Sequence, residues 1–115
     1  MKNVQGEEES GNLNVSVQQL KDRMDKGEKP FLLDVREPFE YDIAHLDAKL
    51  IPLQTLPNRL SELDREQEII VYCHTGVRSA SATQYLRSNG FMLARNLSGG
   101  IEEWARKIDI TMKRY

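Results

Sequence analysis

Short apolar runs alternate with amphipathic segments along most of the chain, and this alternation predicts its secondary structure. FLL and IIVYC are uninterrupted apolar runs, which is typical of strands buried on both faces of a parallel sheet. Alternating strands and helices predict an α/β fold with a mainly parallel sheet. The predicted strands are 12–15, 30–35, 49–53, 68–73 and 94–97, and the predicted helical segments are 17–26, 38–43, 56–64, 79–89 and 98–108.

Two serines are placed to cap predicted helices. Ser16 precedes the helix at 17–26, and Ser79 opens the helix at 79–89. A serine hydroxyl at this position accepts a hydrogen bond from one of the free N–H groups of the first turn. Gly27 fits the end of the first helix, where a glycine adopts the left-handed conformation easily.

Composition indicates one folded domain after a short tail. Residues 1–12, MKNVQGEEESGN, are acidic and almost without large apolar side chains, so they are predicted to be a flexible tail or linker. Residues 13–115 then form a single domain. Sixteen Lys and Arg against 18 Asp and Glu do not favour nucleic acid or an anionic membrane as partner. Without a run of transmembrane length or a signal peptide, a cytoplasmic protein is expected.

Cys73 is the single cysteine of the chain, and its position suggests chemistry. It ends the strongest predicted strand, and ligand sites of open α/β sheets form at such carboxyl ends. In the loop HTGVR that follows, Gly76 allows backbone N–H groups to point inward, and Arg78 adds a fixed positive charge. These surroundings favour the thiolate, so Cys73 is predicted to be a nucleophile.

A purely structural cysteine, a zinc ligand and a nucleotide-binding loop fit the sequence less well. A lone cysteine at a strand end is most often a small buried hydrophobic residue, but such a residue does not need the glycine and arginine that follow. A zinc site is disfavoured because His74 is adjacent, His45 is distant and no second cysteine exists. The Gly-Lys-Ser/Thr ending of a phosphate-binding loop is absent. No metal or cofactor is therefore expected.

Three segments resemble the rhodanese-type sulfurtransferases. CHTGVRS is similar to their active-site loop, LLDVREPFEYDIAHL to their upstream segment, and LRSNGFMLARNLSGGIEEW to their closing segment. The resemblance covers about residues 13–108. It implies the family's three-layer fold, a mainly parallel sheet with helices on both faces.

The resemblance also implies an activity and a set of site residues. Cys73 would take a sulfane sulfur from thiosulfate or a protein persulfide, as thiosulfate:cyanide sulfurtransferases do, and pass it from a persulfide to a thiol or cyanide. Arg78 would bind the anionic part of the donor or brace the loop, and Asp34 and Arg36 would support the loop. The implied substrate-binding loop is His74, Thr75, Gly76, Val77, Arg78 and Ser79.

Three other functions are weighed against the sulfurtransferase, and the sequence departs from the family pattern at two places. A phosphatase is disfavoured because its loop has five residues between Cys and Arg, whereas four separate Cys73 from Arg78. A rhodanese-like binding or regulatory module without turnover remains an alternative function. A redox-sensing thiol is disfavoured, because it would need a second, resolving cysteine. His74 and Thr75 replace the two basic residues of vertebrate-type thiosulfate enzymes, which argues against efficient thiosulfate turnover and leaves a protein persulfide open as the physiological donor. The segment before LIPL lacks the family's usual glycine and has Ala48 instead, so a local adjustment is expected there.

The end of the chain carries a further hint about partners. GGIEEWARKIDITMKRY resembles the end of rhodanese domains fused behind the adenylyltransferases that activate sulfur-carrier proteins. This implies a fused or separate adenylyltransferase and a sulfur carrier as possible partners, with residues 1–12 as the linker. A free-standing sulfurtransferase is the alternative.

Overall fold

A five-stranded, entirely parallel sheet forms the centre of the protein. The computed structural model describes residues 13–115, so the predicted tail and the first residue of the first predicted strand lie outside the described residues. The strands are β1 (Asn14–Val15), β2 (Phe31–Asp34), β3 (Lys49–Leu50), β4 (Ile69–Tyr72) and β5 (Ala94–Leu97). The helices are α1 (Val17–Asp25), α2 (Pro38–Ile43), α3 (Val77–Ser88) and α4 (Gly100–Lys107), with 3-10 helices at Leu53–Asn58 and Leu60–Glu62.

Both faces of the sheet are covered, as the apolar strands predicted. All four side chains of β4 are buried: Ile69 and Val71 pack on one face, and Ile70 and Tyr72 on the other. The first face packs against α3 and the 3-10 helices, and the second against α1 and α4. The predicted three-layer α/β architecture is therefore confirmed. None of the helices between residues 13 and 115 is long and apolar enough to cross a lipid bilayer.

The segment predicted to be helical at 56–64 forms two 3-10 helices instead. Pro57 lies inside the first of them, and Arg59, at φ −127°, separates it from the second. A proline lacks the N–H that a longer α-helix needs and clashes with the preceding turn. Leu56 is nevertheless fully buried, and Leu60 and Leu63 pack against the same core cluster. The leucine spacing indicated the buried side of the segment correctly but not the type of helix.

One of the two predicted serine caps is confirmed and the other is wrong. The Gln19 N–H donates to Ser16 Oγ at 3.0 Å, and the Ser16 N–H donates to the Gln19 side chain at 2.9 Å, which is a reciprocal capping box. At α3, however, Gly76 occupies the N-cap position in the left-handed region, and the helix begins at Val77. Ser79 lies in the first turn and is available for other contacts.

The sheet topology creates a crevice between β2 and β4. The strand order is β1-β5-β4-β2-β3, so the chain leaves β2 in one direction and β4 in the other. Ligand sites of open α/β sheets form at such a switch point, beyond the carboxyl ends of the strands. Asp34 at the end of β2 lies opposite Tyr72 at the end of β4. Arg36 and Cys73, which follow these strands, therefore lie at the same edge of the sheet.

Candidate active site

Cys73 lies at the floor of the loop that joins β4 to α3. The residue is only 1% exposed, and two backbone groups are directed at its sulfur. The N–H of Gly76 donates to Cys73 Sγ at 3.1 Å, and the N–H of Ser79 donates to it at 3.3 Å. Two backbone donors that converge on one atom form a cradle of the kind that binds anions.

Gly76 gives the loop its inward turn. Its φ is +104°, in the region that glycine adopts without steric cost. A Cβ at this position would lie 3.2 Å from the backbone nitrogen of Gly99. A glycine is therefore required at position 76 for two reasons: the left-handed backbone conformation and the close approach of the turn at Gly99.

The first turn of α4 packs against the Cys73 loop and donates hydrogen bonds to two of its carbonyl groups. The carbonyl of Cys73 accepts from the N–H of Ile101, and the carbonyl of His74 accepts from the N–H of Glu102, each at 3.0 Å. A Cβ on Gly100 would lie 2.6 Å from the first carbonyl oxygen and 2.5 Å from the second. The double glycine thus allows α4 to turn the loop carbonyls away from the sulfur.

Ser79 places a hydroxyl beside the thiol. Its Oγ lies 3.3 Å from Cys73 Sγ and donates to Oδ1 of Asn96 at 2.6 Å. Asn96 is a buried residue of β5, and its amide donates to Asn14 of β1 at 3.3 Å. A polar chain therefore runs from the sulfur to the far edge of the sheet.

Arg78 forms a paired contact with Glu40 of α2. Its two terminal nitrogens donate to the two carboxylate oxygens at 2.8 and 2.9 Å. The hydrogen bonds from Arg78 are the main reason that the pKa of Glu40 falls to about 2. The same contact raises the pKa of Arg78. Of the two predicted roles for Arg78, this geometry favours bracing the loop.

Asp34 and Arg36 form a fully buried ion pair at the end of β2. Arg36 Nε donates to Asp34 Oδ1 at 2.9 Å, and Arg36 Nη2 donates to Asp34 Oδ2 at 2.7 Å. The guanidinium also donates to the carbonyl of Ala44 at 2.8 Å and to the hydroxyl of Tyr115 at 2.9 Å. A buried charge is tolerated only when it is paired and hydrogen-bonded in this way.

Tyr115 links these groups to the Cys73 loop. Its hydroxyl accepts from Arg36 and donates to Oε2 of Glu40 at 2.9 Å. Its ring stacks on the imidazole of His74, with ring centroids 3.9 Å apart. The two residues also line a shallow cavity of about 530 Å³ beside the loop.

The structure brings the sequence-predicted site residues to one edge of the sheet, but only some of them contact the sulfur of Cys73. Gly76 and Ser79 contact the sulfur through N–H groups, whereas Thr75 and Val77 are exposed on the rim. Within residues 13–115, no group of three His, Cys, Asp or Glu side chains is arranged to hold a metal ion.

Four residues that shape this site carry no functional signal in the sequence. Glu40 and Gly100 lie in segments that resemble the family, but neither is assigned a function by that resemblance. Asn96 and Tyr115 give no usable signal, because their contacts join residues that are 17 and 75 positions apart, respectively. Only the folded chain shows these pairings.

Comparison with known proteins agrees with this geometry. Residues 16–107 match the family model described as the rhodanese-like domain. The chain belongs to the rhodanese-like domain family. Among solved structures, the rhodanese-like domain protein from Staphylococcus aureus superimposes with a TM-score of 0.75 at 32% identity, covering 79% of this chain and 89% of that one.

Two curated relatives show how this rhodanese-like domain occurs in other proteins. It is 34% identical over 93 residues to a sulfurtransferase of Allochromatium vinosum, covering 80% of this chain and 87% of the relative. It is 39% identical over 104 residues to the probable adenylyltransferase/sulfurtransferase MoeZ of Mycobacterium tuberculosis. That match covers 88% of this chain, which spans only 26% of the length of the mycobacterial relative.

Proposed function

We propose that this protein is a sulfurtransferase that carries sulfane sulfur on Cys73. The observation that carries the proposal is the convergence of the Gly76 and Ser79 N–H groups on Cys73 Sγ, at 3.1 and 3.3 Å. This arrangement suits a sulfur atom that is negatively charged both before and after it accepts a second sulfur. Relatives named sulfurtransferase support the same activity.

The proposed reaction has two displacement steps. The Cys73 thiolate attacks the outer sulfur of a donor R–S–SH, the donor's S–S bond breaks, and the donor thiolate leaves with the electron pair. With thiosulfate as donor, sulfite is the leaving group. An acceptor thiolate or cyanide then attacks the outer sulfur of the Cys73 persulfide and regenerates the thiolate. No oxidant is needed, because the transferred sulfur keeps its oxidation state. No general base is required, because the loop N–H groups hold the charge on the sulfur.

The roles of the surrounding residues follow from their contacts. The N–H groups of Gly76 and Ser79 hold the sulfur's charge. The Ser79 hydroxyl lies beside the sulfur and donates its proton to Asn96. Arg78 braces the loop through Glu40, although binding of an anionic donor by Arg78 stays a prediction. Asp34 and Arg36 support the edge of the sheet on which the loop rests. His74 and Thr75 form the rim that a donor or acceptor would meet.

The donor is proposed to be an organic or protein persulfide rather than thiosulfate. His74 and Thr75 stand where vertebrate-type thiosulfate enzymes have basic residues, and Arg78 is already paired. The mycobacterial relative is named as an adenylyltransferase and sulfurtransferase, so a fused or separate adenylyltransferase and a sulfur-carrier protein are proposed partners. Residues 1–12 as a linker and a cytoplasmic location stay predictions.

Intact-mass spectrometry tests the proposed function directly. The purified protein is incubated with thiosulfate or with a low-molecular-weight persulfide, and its mass is recorded before and after addition of cyanide or dithiothreitol. A gain of about 32 Da that the acceptor removes corresponds to one sulfur atom on the protein. Cys73→Ser should gain nothing. An unchanged wild-type mass with every donor would instead favour a binding or regulatory module.

A further inference from the structure

The carboxylate of Glu40 is fully occupied by four donors. Two come from Arg78 at 2.8 and 2.9 Å, one from the backbone N–H of Glu37 at 3.0 Å, and one from the hydroxyl of Tyr115 at 2.9 Å. Glu40 is only 5% exposed. A carboxylate held in this way is fixed in position and remains ionised throughout the neutral range.

The consequence for Arg78 is that its charge is already compensated. Arg78 directly precedes Ser79, whose N–H points at Cys73 Sγ, so it is placed to influence any ion that approaches the sulfur. Both of its terminal nitrogens, however, are committed to Glu40. A bidentate guanidinium–carboxylate contact is among the stronger pairings of protein side chains. A small anion that used Arg78 would first have to displace Glu40.

The second arginine at this edge is compensated in the same way. Arg36 is paired with Asp34, and both are inaccessible to solvent. The two arginines beside the loop are thus matched by two carboxylates. Next to the outer pair, the residues that precede Glu40 and Arg78 are Phe39 and Val77, which are 65% and 74% exposed. Glu102 and Arg114, the charged side chains that line the cavity beside His74, are paired with each other as well. An approaching molecule therefore meets charge-paired side chains and the exposed side chain of Val77.

We propose that Glu40 is a specificity-determining residue, which selects organic sulfur carriers over small dianions by pairing Arg78. This inference rests on the proposed function, because it names the class of donor that the same sulfur site accepts. With Glu40 in place, the mouth of the site offers thiosulfate no uncompensated charge from Arg78. A persulfide on a peptide or a low-molecular-weight thiol needs no such charge and gains contact with the apolar rim.

Charge-matched alkylation tests the inference without depending on sulfur transfer. Iodoacetate and iodoacetamide are similar in size, and each forms an S–C bond to Cys73 with loss of iodide, but only iodoacetate is an anion. The ratio of their rate constants reports the charge at the thiol, because any change in the thiolate fraction cancels. Glu40→Gln should raise the iodoacetate-to-iodoacetamide ratio roughly fivefold at low salt, as expected for one uncompensated charge near a wet surface. The increase should shrink in 1 M salt.

Three further variants make the alkylation test decisive. Glu40→Ala should raise the ratio as Glu40→Gln does, and it carries the test if the glutamine variant does not fold. Asp42→Asn removes an equal charge at an exposed position of the same helix and should leave the ratio within about twofold of wild type. The double variant Glu40→Gln/Arg78→Ala should return to the wild-type ratio. An unchanged ratio in both Glu40 variants, or an increase that survives removal of Arg78, would overturn the proposal.

A donor comparison separates this inference from the proposed function. In Glu40→Gln, kcat/KM for the dianion thiosulfate should rise roughly 25-fold, because the free-energy change is twice that for the monoanion iodoacetate. The value of kcat/KM for the persulfide of N-acetylcysteine methyl ester should change less than about twofold. If no donor loads sulfur but the alkylation ratio still shifts, the sulfurtransferase proposal fails and the charge assignment stands. If both donors load sulfur and neither the alkylation ratio nor the donor preference shifts, the sulfurtransferase stands and Glu40 has no part in its selectivity.

Discussion

The ring of Tyr115 lies flat against the imidazole of His74, with the ring planes within 10° of parallel. The same tyrosine donates its hydroxyl to Glu40 and accepts from Arg36. One side chain therefore contacts the residue after Cys73, the partner of Arg78 and the buried ion pair. Because these groups come from distant parts of the chain, Tyr115 links the rim of the loop to its support.

Removing this tyrosine should loosen the loop in two separable steps. Tyr115→Phe keeps the stacked ring but deletes the hydroxyl bonds to Glu40 and Arg36, and should cost about 1 kcal/mol of unfolding free energy. Tyr115→Ala also deletes the stacking and should cost about a further 1 kcal/mol. Sulfur uptake by Cys73 should slow more in the alanine variant. Denaturant unfolding and intact-mass time courses measure the two effects.

Tyr85 is the matched control for these variants. It is 37% exposed, close to the 40% of Tyr115, and lies on α3 away from the loop. Tyr85→Ala should leave sulfur uptake at the wild-type rate. If Tyr115→Ala also takes up sulfur at the wild-type rate, then the stacking of Tyr115 on His74 does not contribute to sulfur uptake.

Gly100 should tolerate no side chain, because the backbone of the loop passes too close. In Gly100→Ala, the new Cβ would lie within 2.6 Å of the carbonyl oxygens of Cys73 and His74. We expect a loss of about 2–4 kcal/mol in unfolding free energy, from left-handed strain and forced displacement together. Sulfur uptake should fall as well, because the displaced carbonyls belong to the loop. Thermal unfolding and the mass assay check both effects.

Gly27 separates backbone strain from steric contact. Its φ is +94°, but a Cβ there would meet no heavy atom of the described residues within 4 Å. Gly27→Ala should therefore cost only about 1 kcal/mol from the backbone conformation, with sulfur uptake unchanged. Equal losses of unfolding free energy in Gly27→Ala and Gly100→Ala would show that the loop backbone moves away from the new Cβ of residue 100 at no cost.

The fold was predictable from local pattern, whereas much of the site was not. The apolar run that became β4 is buried on both faces, so its composition alone indicated a central parallel strand. The cradle around Cys73 was also predictable in outline, since it is built from contiguous residues. Glu40 and Tyr115 contact the loop from distant parts of the chain. No local pattern encodes contacts of that kind, and the predicted start of α3 is wrong because Gly76, rather than Ser79, occupies the cap.

The pairing of Glu40 with Arg78 should make stability depend on acid pH. The folded-state pKa of Glu40 is about 2, below its ordinary value of 4.5, so the folded protein binds this proton less readily than the unfolded chain. The stabilisation is therefore complete above about pH 4.5 and is lost as the pH falls toward 2. It should amount to at most about 3 kcal/mol. Urea unfolding of wild type between pH 2 and 6 measures the total change.

Two variants assign that pH dependence to the pair. Glu40→Gln cannot lose a proton at this position and should show a correspondingly flatter profile. Arg78→Ala removes the main cause of the lowered pKa, and should flatten the profile nearly as much. A Glu40→Gln profile as steep as that of wild type would mean that other carboxylates carry the whole acid sensitivity.

The length of the loop should separate sulfur transfer from phosphate chemistry. Gly76 and Ser79 direct their N–H groups at one sulfur atom from three and six residues beyond Cys73, and four residues separate Cys73 from Arg78. A cradle that converges on a single atom suits one outer sulfur, whereas a phosphoryl group needs donors spread over three oxygens. Wild type should therefore show no Cys73-dependent hydrolysis of an aryl phosphate.

Inserting one glycine between Gly76 and Val77 should abolish the convergence on sulfur. The first turn of α3 would move relative to Gly76, so the N–H of Ser79 would no longer point at the same atom. A displacement of about 1 Å in such a site costs on the order of a hundredfold in rate, and sulfur uptake should fall accordingly. An insertion after Gly27 is the control and should leave uptake unchanged. Hydrolysis of p-nitrophenyl phosphate by the unmodified protein, lost in Cys73→Ser, would contradict the assignment to sulfur transfer and favour a phosphatase.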